Sequence, residues 1–211
     1  RMVRYPMELG AVPRLDMAQV LYQFPLGIFA IAIATAIFPS LSSDALERDG
    51  SRFNSSLRTG IEATLFEGFA ASVGLIIVRY PVVRLLLQYG AMTEHDVALI
   101  AKSLCIYSSA IWAYSMQQII NRAYYALHDT KTPFVMSVVN IVMNLVIELP
   151  LLWTPLGEAA MAAGTACSFA AQSVIMLLML CRRIGDFGLR QISLNAAKML
   201  IAAGVMYAVC H

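Results

Sequence analysis

The chain has 211 residues, of which 59% are hydrophobic and only 13% are charged, and its mean hydropathy is +0.69. Soluble domains usually carry about 25% charged residues, so this composition excludes an ordinary water-soluble globule. The net charge of +2 is spread over short groups of Lys and Arg, which argues against a nucleic-acid-binding protein. The composition indicates a membrane protein.

Three stretches contain no Asp, Glu, Lys or Arg: residues 17–43, 103–121 and 159–181. Each is close to the roughly 20 residues that a helix needs to cross a hydrocarbon core about 30 Å thick. The stretches lack the two-residue alternation of barrel strands, and a helix satisfies its own backbone hydrogen bonds in lipid. The sequence therefore predicts an all-α fold, a polytopic bundle of transmembrane helices.

In chain order, the pattern predicts five complete spans and a truncated sixth, all within one transmembrane domain of residues 1–211. The spans are about 17–38, 59–78, 97–119, 134–153 and 159–181, with a partial span at 196–210. The last has about 15 apolar positions, fewer than the roughly 20 that a crossing requires, so we expect a piece of a longer protein. The short turn 154–158 predicts that the fourth and fifth spans form an antiparallel hairpin.

The loops predict an orientation in the membrane. If successive spans alternate, one side holds eight Lys and Arg residues and the other holds five. The positive-inside rule assigns the richer side to the cytoplasm. That side carries the loops after the first, third and fifth spans.

Polar side chains inside the spans are candidate functional groups, because they are costly in lipid and usually face a partner or a cavity. Asn140, Asn144 and Glu148 are four residues apart and share one face of the fourth span. This face is either a cavity wall or a monovalent-cation site, completed by Thr165 of the next span, or a set of interhelical hydrogen bonds that only hold the bundle together.

Two further positions in the spans are unusual. Glu67 lies about 12 Å into the span that begins near residue 59, so we expect this intramembrane acid to face a cavity, to be paired or to be protonated. Pro25 removes a backbone hydrogen bond from the first span, and Gly27 follows it, so we predict a bend there. Such a bend serves alternating access in some transporters and is a static packing feature in others.

The sequence contains no nucleotide-binding loop, no metal-ligand spacing and no nucleophile with a base. The four cysteines lie singly in apolar runs and suggest neither zinc nor disulfides. We therefore expect no enzyme activity and no cofactor, and any transport would be secondary. Coupling to a monovalent cation or to a proton is left open.

Two groups of residues carry a family resemblance. The first is 21–27 (LYQFPLG), continued at 34–35 (AT) and 38–42 (FPSLS), and the second is 121–133 (NRAYYALHDTKTP), preceded by 88–90 (QYG) and 93–96 (TEHD). Together they resemble the MurJ (MviN) lipid II flippase family, part of the multidrug/oligosaccharidyl-lipid/polysaccharide exporter superfamily. The resemblance covers nearly the whole chain.

The resemblance implies a multi-pass protein of the bacterial inner membrane that moves lipid II, the lipid-linked peptidoglycan precursor, by alternating access. It also implies a two-lobed bundle of about 14 helices, of which this chain would be most of the C-terminal lobe. The expected partners are then lipid II or a related undecaprenyl-linked substrate, membrane lipids and the absent N-terminal lobe. The topology implied by the family agrees with the charge count of the loops.

The same resemblance suggests site residues. In the first motif, Gln19, Tyr22 and Gln23 are expected to face the substrate cavity. The arginine that usually precedes this motif and faces the pyrophosphate is replaced by Val20, which cannot bind an anion. The second motif forms a cytoplasmic loop and supplies four residues that we expect to order it, with Arg122 beside Asp129: Arg122, Asp129, Thr130 and Pro133.

Three functions stay open from the sequence. The leading interpretation is a fragment of a lipid II flippase. The second is an exporter of another lipid-linked oligosaccharide or of drugs, with Val20 reflecting a less anionic substrate. The third is a transport-inactive membrane fragment.

Overall fold

The computed structural model describes residues 10–46, 50–90, 92–154 and 157–210, and every regular element in these ranges is helical. The elements are α1 (Ala11–Pro25), a π-helical turn (Leu26–Ala30), α2 (Ile31–Asp44), α3 (Ser51–Leu87), α4 (Glu94–Ser108), α5 (Ile111–Ala126), α6 (Lys131–Leu151), α7 (Ala159–Ile184) and α8 (Leu189–Cys210). The predicted all-α fold is confirmed.

Five helices of the described ranges are long and apolar enough to cross a membrane: Ala11–Asp44, Ser51–Leu87, Lys131–Leu151, Ala159–Ile184 and Leu189–Cys210. The first of these joins α1, the π-helical turn and α2. Helix α3 has 37 residues, which at 1.5 Å per residue is about 55 Å. It is therefore longer than the predicted span 59–78 and extends beyond a hydrocarbon core of about 30 Å at its ends.

The predicted third span, 97–119, is a broken helix rather than one straight one. Helices α4 and α5 meet at a bend of 43° and form a sixth crossing when they are counted together. At the break, the hydroxyl of Ser108 donates to the carbonyl of Leu104 at 2.6 Å, and that of Ser109 donates to Ile106 at 2.7 Å. Hydroxyl bonds of this kind compete with the helix backbone and bend helices.

Helix α8, which corresponds to the predicted partial span, begins earlier than the sequence suggested. Asp186 accepts hydrogen bonds from the backbone N–H groups of Gly188 and Leu189 at 2.8 and 3.1 Å, and α8 begins at once. Its 22 residues from Leu189 to Cys210 are enough to cross, whereas the predicted partial span started only at 196. Apolar counting missed the polar first turns of this helix.

The helices pack around two apolar clusters. One joins α2, α3, α5, α7 and α8 with Met136 of α6, and it includes Leu57 and Ile119. The other joins α1, the π-helical turn, α4, α5 and the first half of α7 with Val83 of α3, and it includes Leu104 and Ile111. Helix α6 lies at the edge, pairs with α7 as the predicted antiparallel hairpin, and leaves most of its apolar side chains exposed, as suits a lipid-facing or lobe-facing surface.

Helix α3 packs closely against the start of α5. A Cβ atom added at Gly68 would lie 2.5 Å from the Trp112 Cα atom, a distance that real Cβ atoms do not adopt. Only glycine lets the two backbones approach so closely just after the break, so Gly68 fixes where α5 begins to pack.

We predict that Gly68→Ala lowers the thermal unfolding midpoint of the full-length protein in detergent, because overpacking of this kind costs about 1–3 kcal/mol. The matched control is Gly74→Ala in the same helix, where an added Cβ would meet nothing within 4 Å. The control should be neutral or slightly stabilising, since Ala favours helices over Gly. Equal midpoints for the two variants would contradict the close packing of α3 on α5.

Candidate functional site

The polar residues of α6 meet α7 in a cluster that we call the Glu148 cluster: Asn144, Glu148, Thr165 and Ser168. Oε1 of Glu148 accepts hydrogen bonds from Asn144 Nδ2 and from the Thr165 hydroxyl, both at 2.9 Å. Asn144 Nδ2 also lies 3.3 Å from Thr165 Oγ1 and 3.5 Å from Ser168 Oγ. The structure thus brings together Asn144, Glu148 and Thr165, which the sequence grouped from the spacing on the fourth span and from the next span of the hairpin, and it adds Ser168.

Glycine makes room for this cluster. The Glu148 side chain lies directly against Gly164 of α7, where any Cβ would collide with its Cγ atom. Asn140, one turn away on the same face of α6, is 8% exposed. The predicted polar face therefore points into the bundle at the α6–α7 contact and away from lipid.

The structure corrects the prediction that Tyr22 faces an open cavity. Tyr22 is 4% exposed, and its ring stacks on those of Tyr107 and Tyr114 with centroids 5.0 and 5.3 Å away. It belongs to the buried stripe of α1, about 100° around the helix from Gln23. Gln19 is half-buried and Gln23 is exposed, so only these two of the predicted cavity residues lie towards the outside of the bundle.

The predicted bend coincides with an irregular helix. The π-helical turn Leu26–Ala30 follows Pro25 directly and contains Gly27. Proline lacks the N–H that would close the preceding turn, and π-helical turns occur mostly as single insertions, often at functional sites. A role of Pro25 and Gly27 in motion stays a prediction.

Glu67 is paired with a hydroxyl inside the bundle. Its Oε2 accepts a hydrogen bond from Ser115 of α5 at 2.8 Å, while its buried Oε1 receives none from the described residues. The side chain is half-buried at the α3–α5 contact, just beyond the break between α4 and α5. Of the three expectations for this acid, the structure favours a partner within the bundle.

The loop motif is ordered by a different arginine from the one expected. Arg183 of α7 forms an ion pair with Asp129, and Asp129 caps α6 by accepting from the Lys131 and Thr132 N–H groups at 3.1 and 3.0 Å. The hydrogen bonds from the backbone and hydroxyl of Thr132, helped by Arg183, lower the pKa of Asp129 from 3.8 to about 2. The carboxylate is therefore charged near neutral pH.

Arg122 instead contacts α2. Its guanidinium lies 5.5 Å from the centroid of the Phe38 ring, and its Nη2 is 3.4 Å from the Thr35 hydroxyl. The expectation that it lies beside Asp129 was wrong because Arg122 belongs to α5, a full helical turn before the loop, and its side chain points towards α2. Of the other loop residues, Pro133 is buried in the first turn of α6, and Thr130 is exposed at its start.

With this geometry established, comparison with known proteins identifies the family. A family model described as "Lipid II flippase MurJ" matches residues 5–211, nearly the whole chain. This chain belongs to the MurJ family. The contact of Arg122 with Thr35 and Phe38 thus joins the two motifs on which the resemblance rested.

Individual MurJ proteins show how much of the family plan is present. A probable lipid II flippase MurJ of Vibrio cholerae serotype O1 is 32% identical over 162 residues, which are 77% of this chain and 31% of that protein. One of Thermotoga maritima is 31% identical over 193 residues, 92% of this chain and 39% of the relative. A solved lipid II flippase MurJ in an inward closed conformation superposes with a TM-score of 0.76 at 26% identity, over 96% of this chain and 42% of that one. The chain thus spans about a third to two fifths of the length of these MurJ proteins.

One polar network of this MurJ family member was missed from the sequence. Arg14 of α1 is 7% exposed and Glu158, next to the start of α7, is 6% exposed. The guanidinium donates from Nε and Nη2 to the carboxylate of Glu158, the shortest bond being 2.7 Å, and from Nη1 to Asp96 Oδ1 at 2.9 Å. Thr93 and Asp96 form a capping box at the start of α4. The network therefore joins the beginnings of α1, α4 and α7.

The spacing offered only a partial signal for this network. Thr93 followed by Asp96 has the spacing of a helix cap, which marks the start of α4. Nothing local pairs Arg14 with Glu158, because 144 residues separate them. In the sequence, Arg14 counts only as one of the five positive charges on one side of the membrane, whereas the structure buries it.

We predict that Arg14→Met destabilises the full-length protein strongly, because removing one partner of a buried ion pair costs about 3–5 kcal/mol. The matched control is Arg84→Met, which removes an exposed pair with Glu94 of similar length, 2.7 Å, and should cost about 0–1 kcal/mol. Thermal unfolding in detergent compares the two. A loss for Arg14→Met no larger than for the control would show that the network contributes little to the bundle.

Proposed function

We propose that this chain forms part of a lipid II flippase, which moves the lipid-linked peptidoglycan precursor across the bacterial inner membrane by alternating access. The observation that carries the proposal is the match of residues 5–211 to the MurJ family. The structural likeness to a lipid II flippase over 96% of this chain supports it. Because the matched relatives are longer, we also propose that the chain is the C-terminal lobe of a two-lobed protein, and that the other lobe is its partner.

The residues of this lobe would act by binding and by changing shape, with no covalent step. The exposed side of α1 carries Gln23 next to Val20 and Phe24, which are 67% and 70% exposed. We propose that this side faces the substrate cavity and the opposite lobe. The π-helical turn after Pro25 gives the same helix an irregular point about which its two halves could rearrange.

We propose further that transport is coupled to a monovalent cation or a proton at the Glu148 cluster. One carboxylate with neutral amide and hydroxyl groups is a donor set that suits a hard cation of low charge. The described residues hold no group of three His, Cys, Asp or Glu side chains that would favour a transition metal. A cation bound here would bridge α6 and α7 and so bias their packing.

Val20 supports a second candidate function within the same superfamily. The position is exposed, so an arginine there would project from the bundle and could bind pyrophosphate. Valine cannot, which favours a less anionic cargo such as another lipid-linked oligosaccharide or a drug. A transport-inactive membrane protein is the third candidate.

A flippase assay on the full-length protein in vesicles tests these candidates. We expect lipid II to move between leaflets, and failure of translocation by correctly inserted protein would overturn the leading proposal. Val20→Arg should strengthen lipid II binding by roughly tenfold, since a charge-assisted hydrogen bond contributes about 1.5–3 kcal/mol. Val20→Leu is the matched control and should change nothing. No gain with arginine would favour the less anionic cargo.

A second experiment tests the coupling proposal by linkage. The unfolding midpoint of the full-length protein should rise with Na⁺ concentration, or with falling pH if a proton is bound, because a ligand at one hundred times its dissociation constant stabilises by about 2.7 kcal/mol. Asn144→Ala should abolish this dependence. Ser137→Ala, which removes a hydroxyl that donates to the Pro133 carbonyl on the same helix, should preserve it. A wild-type protein insensitive to both ligands would defeat coupling at this cluster.

A further inference from the structure

The α6–α7 contact has a regular register that extends beyond the Glu148 cluster. Glu148 lies against Gly164, and Asn144 lies opposite Ser168. Farther along, Asp129 pairs with Arg183, and the step from Asn144 to Asp129 equals the step from Ser168 to Arg183. Each move of four residues back along α6 therefore matches a move of four residues forward along α7.

Continued by one turn from the Glu148 cluster, this register puts Asn140 and Gln172 at the same level of the α6–α7 contact. Both side chains are more than nine-tenths buried, with exposures of 8% and 4%. Asn140 Oδ1 and Gln172 Oε1 are buried acceptor atoms that no donor of the described residues reaches. A buried acceptor left without a partner costs about 1–3 kcal/mol. Two such acceptors at one level of a helix contact would both be satisfied by one ligand bound between them.

Between the pair Asn140 and Gln172 and the end of the bundle that carries Asp129 lie further polar groups. The hydroxyl of Ser173, the residue after Gln172, donates to Gln117 Oε1 of α5 at 3.0 Å. Gln117 Nε2 in turn donates to Asn121 Oδ1 at 3.1 Å. The pair Asn140 and Gln172 thus lies between the Glu148 cluster and a second hydrogen-bonded network formed by α5 and α7.

We propose that the amide oxygens of Asn140 and Gln172 bind either a water molecule, as a hydrogen-bond donor, or a monovalent cation. This site would be a step on a polar path between the Glu148 cluster and the Gln117–Asn121 network. Two buried, unpartnered amide oxygens at one level of the α6–α7 contact offer the acceptors that a water or a weakly hydrated cation needs. The role of the site in ion exchange rests on the coupling proposed above for the Glu148 cluster. The binding site itself does not.

The path has a defined direction. It leads from the middle of α6 towards the end of the bundle that carries Asp129, Arg183 and the arginine-rich loops. A cation leaving the Glu148 cluster would pass Asn140 and Gln172 before it reached the methionine level of Met136 and Met176, which are both buried. The amide pair would therefore lower the barrier for exchange with that side of the membrane.

A high-resolution structure of the full-length protein with Tl⁺ replacing Na⁺ tests the binding site directly. Density between the two amides with an anomalous signal would identify a cation, and density without one would identify water, and either outcome supports the site. Continuous contact of the amides with one donating to the other, or no density between them, would overturn the proposal. This readout holds whether or not the Glu148 cluster binds a cation.

Substitution tests the path. The double variant Asn140→Leu with Gln172→Leu removes both acceptors, and we expect Na⁺ exchange at the Glu148 cluster to slow by at least about tenfold, which corresponds to about 1.4 kcal/mol of barrier. The midpoint of Na⁺ binding at equilibrium should stay unchanged, because the cluster residues are intact. Met136→Leu, at the next buried level of α6, is the matched control and should alter neither quantity. Unchanged Na⁺ exchange at the Glu148 cluster would overturn the path. A double variant that unfolds at a higher temperature and loses no ligand bound between positions 140 and 172 would also overturn it.

Discussion

Lipid offers no hydrogen bonds, so a polar side chain within this bundle is stabilised by partners inside the protein, either on its own helix or on a neighbouring one. Helix α7 supplies several of these partners. Glu158, beside its start, holds Arg14 of α1, its middle turns complete the Glu148 cluster with α6, and Arg183 in its last turn holds Asp129. Helix α7 is thereby tied at three levels to different parts of the fold.

The apolar contacts follow from this arrangement. Gly164 of α7 lets α6 approach on one side, and on another side Ala162 and Ala166 belong to the same apolar cluster as the stacked tyrosines of α1, α4 and α5. On the far side of α5, Gly68 brings the long helix α3 against the broken α4–α5 helix. Polar pairing selects which helices are neighbours, and glycine and alanine set how closely they approach, as is usual where lipid supplies no hydrophobic driving force.

The sequence predicted the features that depend on the spacing of nearby residues. The spans follow from apolar length, and the grouping of Asn144, Glu148 and Thr165 follows from four-residue spacing and a short hairpin turn. Long-range pairing could not be predicted, because neither Arg14 nor Arg183 carries any mark of its carboxylate partner. The burial of Tyr22 depended on how α1 is rotated, and the break after Ser108 depended on two hydroxyls that a hydropathy count treats as neutral.

The π-helical turn has a geometric effect on the whole first crossing. Buried positions recur every four residues along it, at Ala18, Tyr22, Leu26, Ala30 and Ala34, although a regular α-helix repeats every 3.6 residues and would carry such a row around its surface. The wider π turn, which adds about one residue to a turn, offsets much of this drift. The five positions span about four turns of α1 and α2, and they consequently lie closer to one straight row facing the bundle than a regular α-helix would place them.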